Sequence, residues 1–172
     1  HLLEVIRERN GEMDIVQLLD ENSKMKIKLL ELIQTKLGER VEISFLAQKT
    51  GISKFKLSKL IHELKMELEQ KLCLNDFFVV KRGVIQVYSF ICDENILKLR
   101  QHYLNSSLTY QLLIFLLFSN RPINKFTTDH YISNSSLYLY KKRINKLLEK
   151  DHLIIKKNKI VGNEWKIRSV GY

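Results

Sequence analysis

Two stretches of this chain set short polar and basic side chains ahead of an apolar helical stripe. The first is TGISKFKLSKLIHEL, starting at Thr50, where Ser53, Lys54, Phe55, Lys56, Ser58, Lys59 and His62 form one set. The second is HYISNSSLYLYKKRI, starting at His130, where Ser133, Asn134, Ser135, Ser136, Tyr138, Lys142 and Arg143 form the other. Lysine and arginine donate to phosphate oxygens or to guanine, asparagine pairs with adenine, and serine reaches either. A helix that enters a major groove needs such groups near its N-terminus and an apolar back. Two basic clusters further along, Lys81-Arg82 and Lys156, Lys157 and Lys159, have the chemistry to follow a phosphate backbone or enter a minor groove. The same lysines also protect an exposed hairpin edge. Phe55 has the ordinary reading of a packing residue.

The charge agrees with this reading. The 172 residues carry 29 Lys+Arg against 19 Asp+Glu, a net +10. Residues 1–22 hold 2 basic and 6 acidic side chains, and residues 91–120 hold 2 of each. The excess sits in residues 23–90, with 13 basic against 7 acidic, and in residues 121–172, with 12 against 4. Two separated basic blocks are what two contact surfaces for a polyanion would show. The composition, 45% hydrophobic and 28% charged, excludes a disordered or collagen-like chain. The longest apolar run, Leu112–Phe118, is too short to span a bilayer.

Chemistry of other kinds finds no framework. His1, His62, His102, His130 and His152 are scattered, and no HExxH, GxSxG or glycine-rich phosphate loop occurs. The carboxylate pairs Asp93-Glu94 and Glu63 with Glu67 fall on expected helix surfaces. Cys73 and Cys92 lack metal or redox spacing and are expected to be reduced, partly buried thiols. No enzyme activity, metal or cofactor is expected.

The elements that would position the polar sets repeat at a spacing of 80. Ile52 falls on Ile132, Ser53 on Ser133, Leu57 on Leu137, Leu64 on Ile144, Leu68 on Leu148, Ile33 on Leu113 and Leu37 on Leu117. Two copies mean tandem domains, since a solenoid needs three or more. In the first copy, Met25–Leu37 reads as a helix with Leu29, Leu30, Ile33 and Leu37 on one stripe. A short helix follows from about Ser44 to Lys49, then a tight turn at Gly51, then a helix capped by Ser53. Phe77–Val80 and Val84–Phe90 read as strands around a Lys81-Arg82-Gly83 tip.

The second copy has a helix over Ser107–Phe118, apolar nearly all round and so expected to be central and buried. It continues with a helix over Asn124–Tyr131, a long helix capped by Ser133, and a hairpin of Leu153–Lys157 and Lys159–Val161. Its turn residue is Tyr131, where the first copy has Gly51.

The expected fold is mainly α with small β wings, as two tandem winged helix-turn-helix domains. An N-terminal helical arm at 1–22 precedes the first motif at 23–90. A linker helix at 91–105, using Ile96, Leu97, Leu99, Tyr103 and Leu104, leads to the second at 106–161. Residues 162–172 would begin a further C-terminal domain. The arm's apolar set (Leu2, Leu3, Val5, Ile6, Ile15, Val16, Leu18 and Leu19) is expected to pack on the first domain or a partner.

Three stretches give the chain a resemblance over nearly its whole length. They are TGISKFKLSKLIHEL, YLNSSLTYQLLIFLL at Tyr103–Leu117, and YISNSSLYLYKKRINKLLEK followed by KIVGNEWKIR at Lys159–Arg168. The last contains Gly162, Glu164, Ile167 and Arg168 in a Gly-x-Glu-x-x-Ile-Arg string. Together these resemble the N-terminal part of an Mga-type regulator from Gram-positive bacteria, related to regulators carrying sugar-phosphotransferase regulation domains. The resemblance implies a cytoplasmic, double-stranded-DNA-binding transcription regulator, usually an activator and among them virulence regulators. It also implies a homodimer formed through later domains that this chain lacks, and no membrane association. Lys59 and Leu139 stand at a recognition-helix position where the family often has arginine. Two rivals remain: a plasmid replication initiator, against which the Gly162–Arg168 string argues, and a winged module that binds protein, favoured if the recognition helices are buried.

Overall fold

The computed structural model describes residues 15–162. Within them the chain is mainly helical with two small sheets, and it divides into two compact units. One unit is Glu21–Tyr103; the other joins the residues up to Asp20 with those from Leu104 onward.

The first unit begins with α1 (Glu21–Gln34), which buries Ile27, Leu29, Leu30 and Ile33. The sequence stripe extended this helix to Leu37, but Leu37 lies beyond it and is 50% exposed. Beyond Gln34 the chain passes through turns to Gly38, whose φ of +77° redirects it and whose N–H donates to Val87 O at 3.1 Å. The turn leads into β1 (Arg40–Glu42), a strand too short to read from alternation. Then come α2 (Ile43–Thr50), α3 (Lys54–Leu72), β2 (Phe78–Lys81) and β3 (Val84–Val87). β3 lies between β1 and β2, antiparallel to both. The second strand stops at Val87, and the Tyr88 and Phe90 expected within it are exposed. The core gathers Leu46, Leu57, Ile61, Leu64, Leu68, Phe78, Ile85 and Val87 with the α1 stripe. Burying each such side chain contributes about 1.5–3 kcal/mol, before entropy is counted.

α4 (Asp93–Ser106) supplies Ile96, Leu99 and Tyr103 to burial in this unit, whereas Leu97 is exposed. A polar cluster lies under α3. Lys26, only 7% exposed, places Nζ 2.7 Å from Glu67 Oε1 and 3.0 Å from Glu63 Oε2. The Tyr103 hydroxyl donates to the other Glu67 oxygen, and Arg100 pairs with Glu31 at 2.8 Å. Glu63 and Glu67, expected on a free helix surface, are therefore structural partners of a buried cation.

The second unit contains α5 (Leu108–Phe118), α6 (Ile123–Asp129), α7 (Asn134–Leu148), a 3-10 turn at Glu149–Asp151, and the hairpin β4 (Ile154–Lys156) and β5 (Lys159–Val161). α5 packs on α7 and β5. It buries Thr109, Tyr110, Leu112, Leu113 and Leu116, but Ile114, Phe115 and Leu117 are only half-buried and Phe118 is 66% exposed. The all-round burial expected from its composition is thus not reached, because these partners cover one side of the helix. Leu18 and Leu19 are buried, a 3-10 turn at Ile15–Leu18 packs on α7, and the Ser107 hydroxyl donates to Leu18 O. The described end of the acidic arm groups with this unit and not with the first motif. Leu2, Leu3, Val5 and Ile6, and Glu164, Ile167 and Arg168 of the exit string, lie outside the described residues. Cys73 and Cys92 are free and exposed, not partly buried. No described helix is long and apolar enough to cross a membrane.

Candidate nucleic-acid interface

The local reason for each polar front is a left-handed turn followed by a serine cap. In the first unit Gly51 takes φ +71° and ends α2 by donating to Ala47 O. Ser53 then caps α3, its hydroxyl accepting from the Lys56 N–H at 3.3 Å. In the second unit Tyr131 takes φ +53°, and Ser133 caps α7 by accepting from the Ser136 N–H at 3.1 Å. Such a cap stabilises a helix by ~1 kcal/mol and fixes which residues lead it. The 80-residue offset therefore holds for the turn, the cap and the core behind them, where Leu57 matches Leu137, Leu64 matches Ile144 and Leu46 matches Phe126, all buried.

Apolar backs leave polar fronts. On α3, Leu57, Leu60, Ile61, Leu64 and Leu68 face the core, while Ser53, Lys54, Phe55, Lys56, Ser58, Lys59 and His62 are exposed. Phe55 is 84% exposed, so the packing role expected for it is not the one it has within this unit. On α7, Leu137, Ile144, Leu147 and Leu148 are buried; Ser133, Asn134, Ser135, Tyr138, Lys142 and Arg143 are exposed and Ser136 is half-buried. Leu139 is exposed on the same helix.

Both hairpins have two-residue tips. Arg82 and Gly83 have φ +50° and +77°, and Lys157 and Asn158 have +49° and +59°, the positive pair that a type I′ turn demands. Lys81, Arg82, Lys156, Lys157 and Lys159 are all exposed there. The two tips are anchored differently. In the first, Gly83 O accepts from Ile43 N–H at 2.9 Å, holding the tip beside the start of α2. Among the described residues no hydrogen bond or ion pair joins this tip to α3. In the second, Lys141 donates to Asn158 Oδ1, and Asn145 Oδ1 accepts from the Ile155 N–H at 2.8 Å. The hairpin lysines and the α7 front are thus brought onto one connected frame. Lys141, Asn145 and Asn158 escaped the sequence reading. Asn145, a polar residue within an apolar helical pattern, was the available signal.

The acidic side chains are engaged elsewhere. Glu63 and Glu67 hold Lys26, Glu31 holds Arg100, Glu39 pairs with Lys36, Glu69 with Lys65 and Asp129 with Lys125. Among the described residues, Lys54, Lys56, Lys59, Lys81 and Arg82 form no ion pair, nor do Lys142, Arg143, Lys156, Lys157 and Lys159. Each unit therefore presents a set of uncompensated cations, the footprint of a polyanion surface.

The family comparison bears on the second of these surfaces. Residues 93–172 match the Mga helix-turn-helix domain. The matched region runs from the start of α4 and includes α7 and the second hairpin. The family is a DNA-binding class connected with transcription regulation, not an enzyme class. No curated protein matches the chain.

Proposed function

We propose that the chain is a transcription regulator that docks two recognition helices, α3 and α7, on duplex DNA, each from a winged helix-turn-helix unit. The observation that carries this reading is the pairing of an Mga-type match with two serine-capped helices whose basic and amide side chains are exposed and unpaired. The order helix, strand, helix, helix, hairpin in the first unit supports the winged reading there, and the helix, helix, hairpin order supports it in the second. The contacts would be Ser53, Lys54, Phe55, Lys56, Ser58, Lys59 and His62 with Lys81 and Arg82, and Ser133, Asn134, Ser135, Ser136, Tyr138, Lys142 and Arg143 with Lys156, Lys157 and Lys159. The regulator acts in the cytoplasm as an activator and as a homodimer. The recognition-helix fronts are exposed, as docking on DNA requires.

Labour divides between the helices. The lysines of α3 supply attraction that is independent of sequence, whereas Asn134 and the serines of α7 read base edges at short range. The test is a pair of titrations of the full chain, one with a duplex selected from a random pool and one with a scrambled duplex. Asn134→Ala should cost ~1–3 kcal/mol on the selected duplex and little on the scrambled one. Equal losses on both remove α7 as a base reader.

A further inference from the structure

Tyr131 sits in the left-handed turn that launches α7, two residues before the Ser133 cap, and its side chain is 95% exposed. The position equivalent to it is Gly51, with φ +71°, where an added Cβ would meet nothing within 4 Å. The turn thus excludes no side chain by crowding; it only disfavours one by its backbone. A tyrosine at φ +53° carries that conformational cost, of order 1–2 kcal/mol, which glycine avoids. Among the described residues the Tyr131 side chain makes no hydrogen bond or ring contact, and its N–H bonds only to Thr128 O at 3.4 Å. His152, Lys157 and Asn158 of the same unit also take a positive φ; Tyr131 stands apart by pairing that backbone with an almost fully exposed aromatic ring at the start of the recognition helix.

We propose that Tyr131 is a DNA contact of the second unit, its hydroxyl donating to a backbone phosphate at the edge of the groove that α7 enters. This rests on the DNA-binding reading above. The turn holds the ring at the same end of α7 as Ser133, Asn134 and Ser135, all exposed. A phenol donates one hydrogen bond and carries no charge, so it positions the helix without adding to the salt dependence. The aromatic stem also lets the contact reach beyond the short serine and asparagine side chains beside it.

The experiment measures thermal midpoint and duplex affinity for the full chain, Tyr131→Phe and Tyr131→Gly, each on a selected and a scrambled duplex. Tyr131→Phe keeps the strain and the ring and removes only the hydroxyl. It should leave the midpoint unchanged and weaken both duplexes alike, by about tenfold, the scale of a lost hydrogen bond to a charged acceptor. Tyr131→Gly should weaken binding at least as much while its midpoint stays at or above the unsubstituted value, because glycine relieves the turn. Loss of affinity without loss of stability is what a merely structural residue would not give. Wild-type affinity in Tyr131→Phe overturns the phosphate contact, even if Tyr131→Gly binds weakly. A lower midpoint for Tyr131→Gly overturns the strain argument. If the unsubstituted chain binds neither duplex, the DNA reading fails first and this inference with it.

Discussion

Replacing Lys26 by methionine should destabilise the first unit through the carboxylates it leaves behind. Lys26 Nζ lies 2.7 Å from Glu67 and 3.0 Å from Glu63, with the Tyr103 ring centroid 5.7 Å away. Methionine fills much of the same volume, so little packing is lost. The cost comes from two acids facing each other without their cation. Breaking a fully buried pair costs about 3–5 kcal/mol. Here the Glu63 and Glu67 side chains are 37% and 24% exposed, so water recovers part of that. We expect ~2–3 kcal/mol, which in a unit of this size lowers its melting transition by ~10–20 °C. Calorimetry of the full chain reads it directly. A double-mutant cycle with Glu67→Gln separates charge from packing. Alone, Glu67→Gln should cost ~1–2 kcal/mol, while added to Lys26→Met it should recover ~1 kcal/mol. A loss below ~0.5 kcal/mol for Lys26→Met, or the same penalty for Glu67→Gln in both backgrounds, would refute the reasoning.

Other outcomes follow from the same geometry. Burial alone would lower the Lys26 pKa, but hydrogen bonds and charge from Glu67 and Glu63 outweigh it and raise the value above 10.5. Its contribution to stability is therefore full below pH 10.5 and lost as pH climbs through the raised value, and an alkaline stability titration of Lys26→Met should lack that component. Gly51→Ala should cost ~1 kcal/mol by thermal unfolding, since φ +71° penalises a side chain although nothing crowds the site. Changing Lys54, Lys56 and Lys59 to Ala should weaken all duplexes alike and flatten the salt slope by up to ~3 units.

The helices of both units were legible because their apolar residues recur at the helical period over long runs. Leu57, Leu60, Ile61, Leu64 and Leu68 leave no other period open, and Ser53 and Ser133 mark their starts. β1 was not legible: three residues alternate too briefly, and Arg40–Glu42 becomes a strand only because β3 is there to pair with it. Leu37 fits the stripe but not the structure, because the helix ends at Gln34 and the chain turns through Gly38 toward β1. α5 was over-read for a related reason. An all-apolar segment announces burial but not how many neighbours will be present to supply it. The fronts of α3 and α7 could be named because a helix with a fixed back has a fixed front. The hydrogen bonds from Lys141 to Asn158 and from Ile155 to Asn145 could not, since they join segments whose approach depends on the whole unit. Lys26 was one lysine in a basic block until its burial set it apart.

The central claim is that the uncompensated cations of both units bind the phosphates of duplex DNA. Its most direct test is the affinity of the full chain for one duplex across a range of salt concentrations. If the two fronts together neutralise about six to eight phosphates, log K should fall against log salt with a slope of roughly −5 to −7. A flat response, or no binding at low salt, would contradict the account.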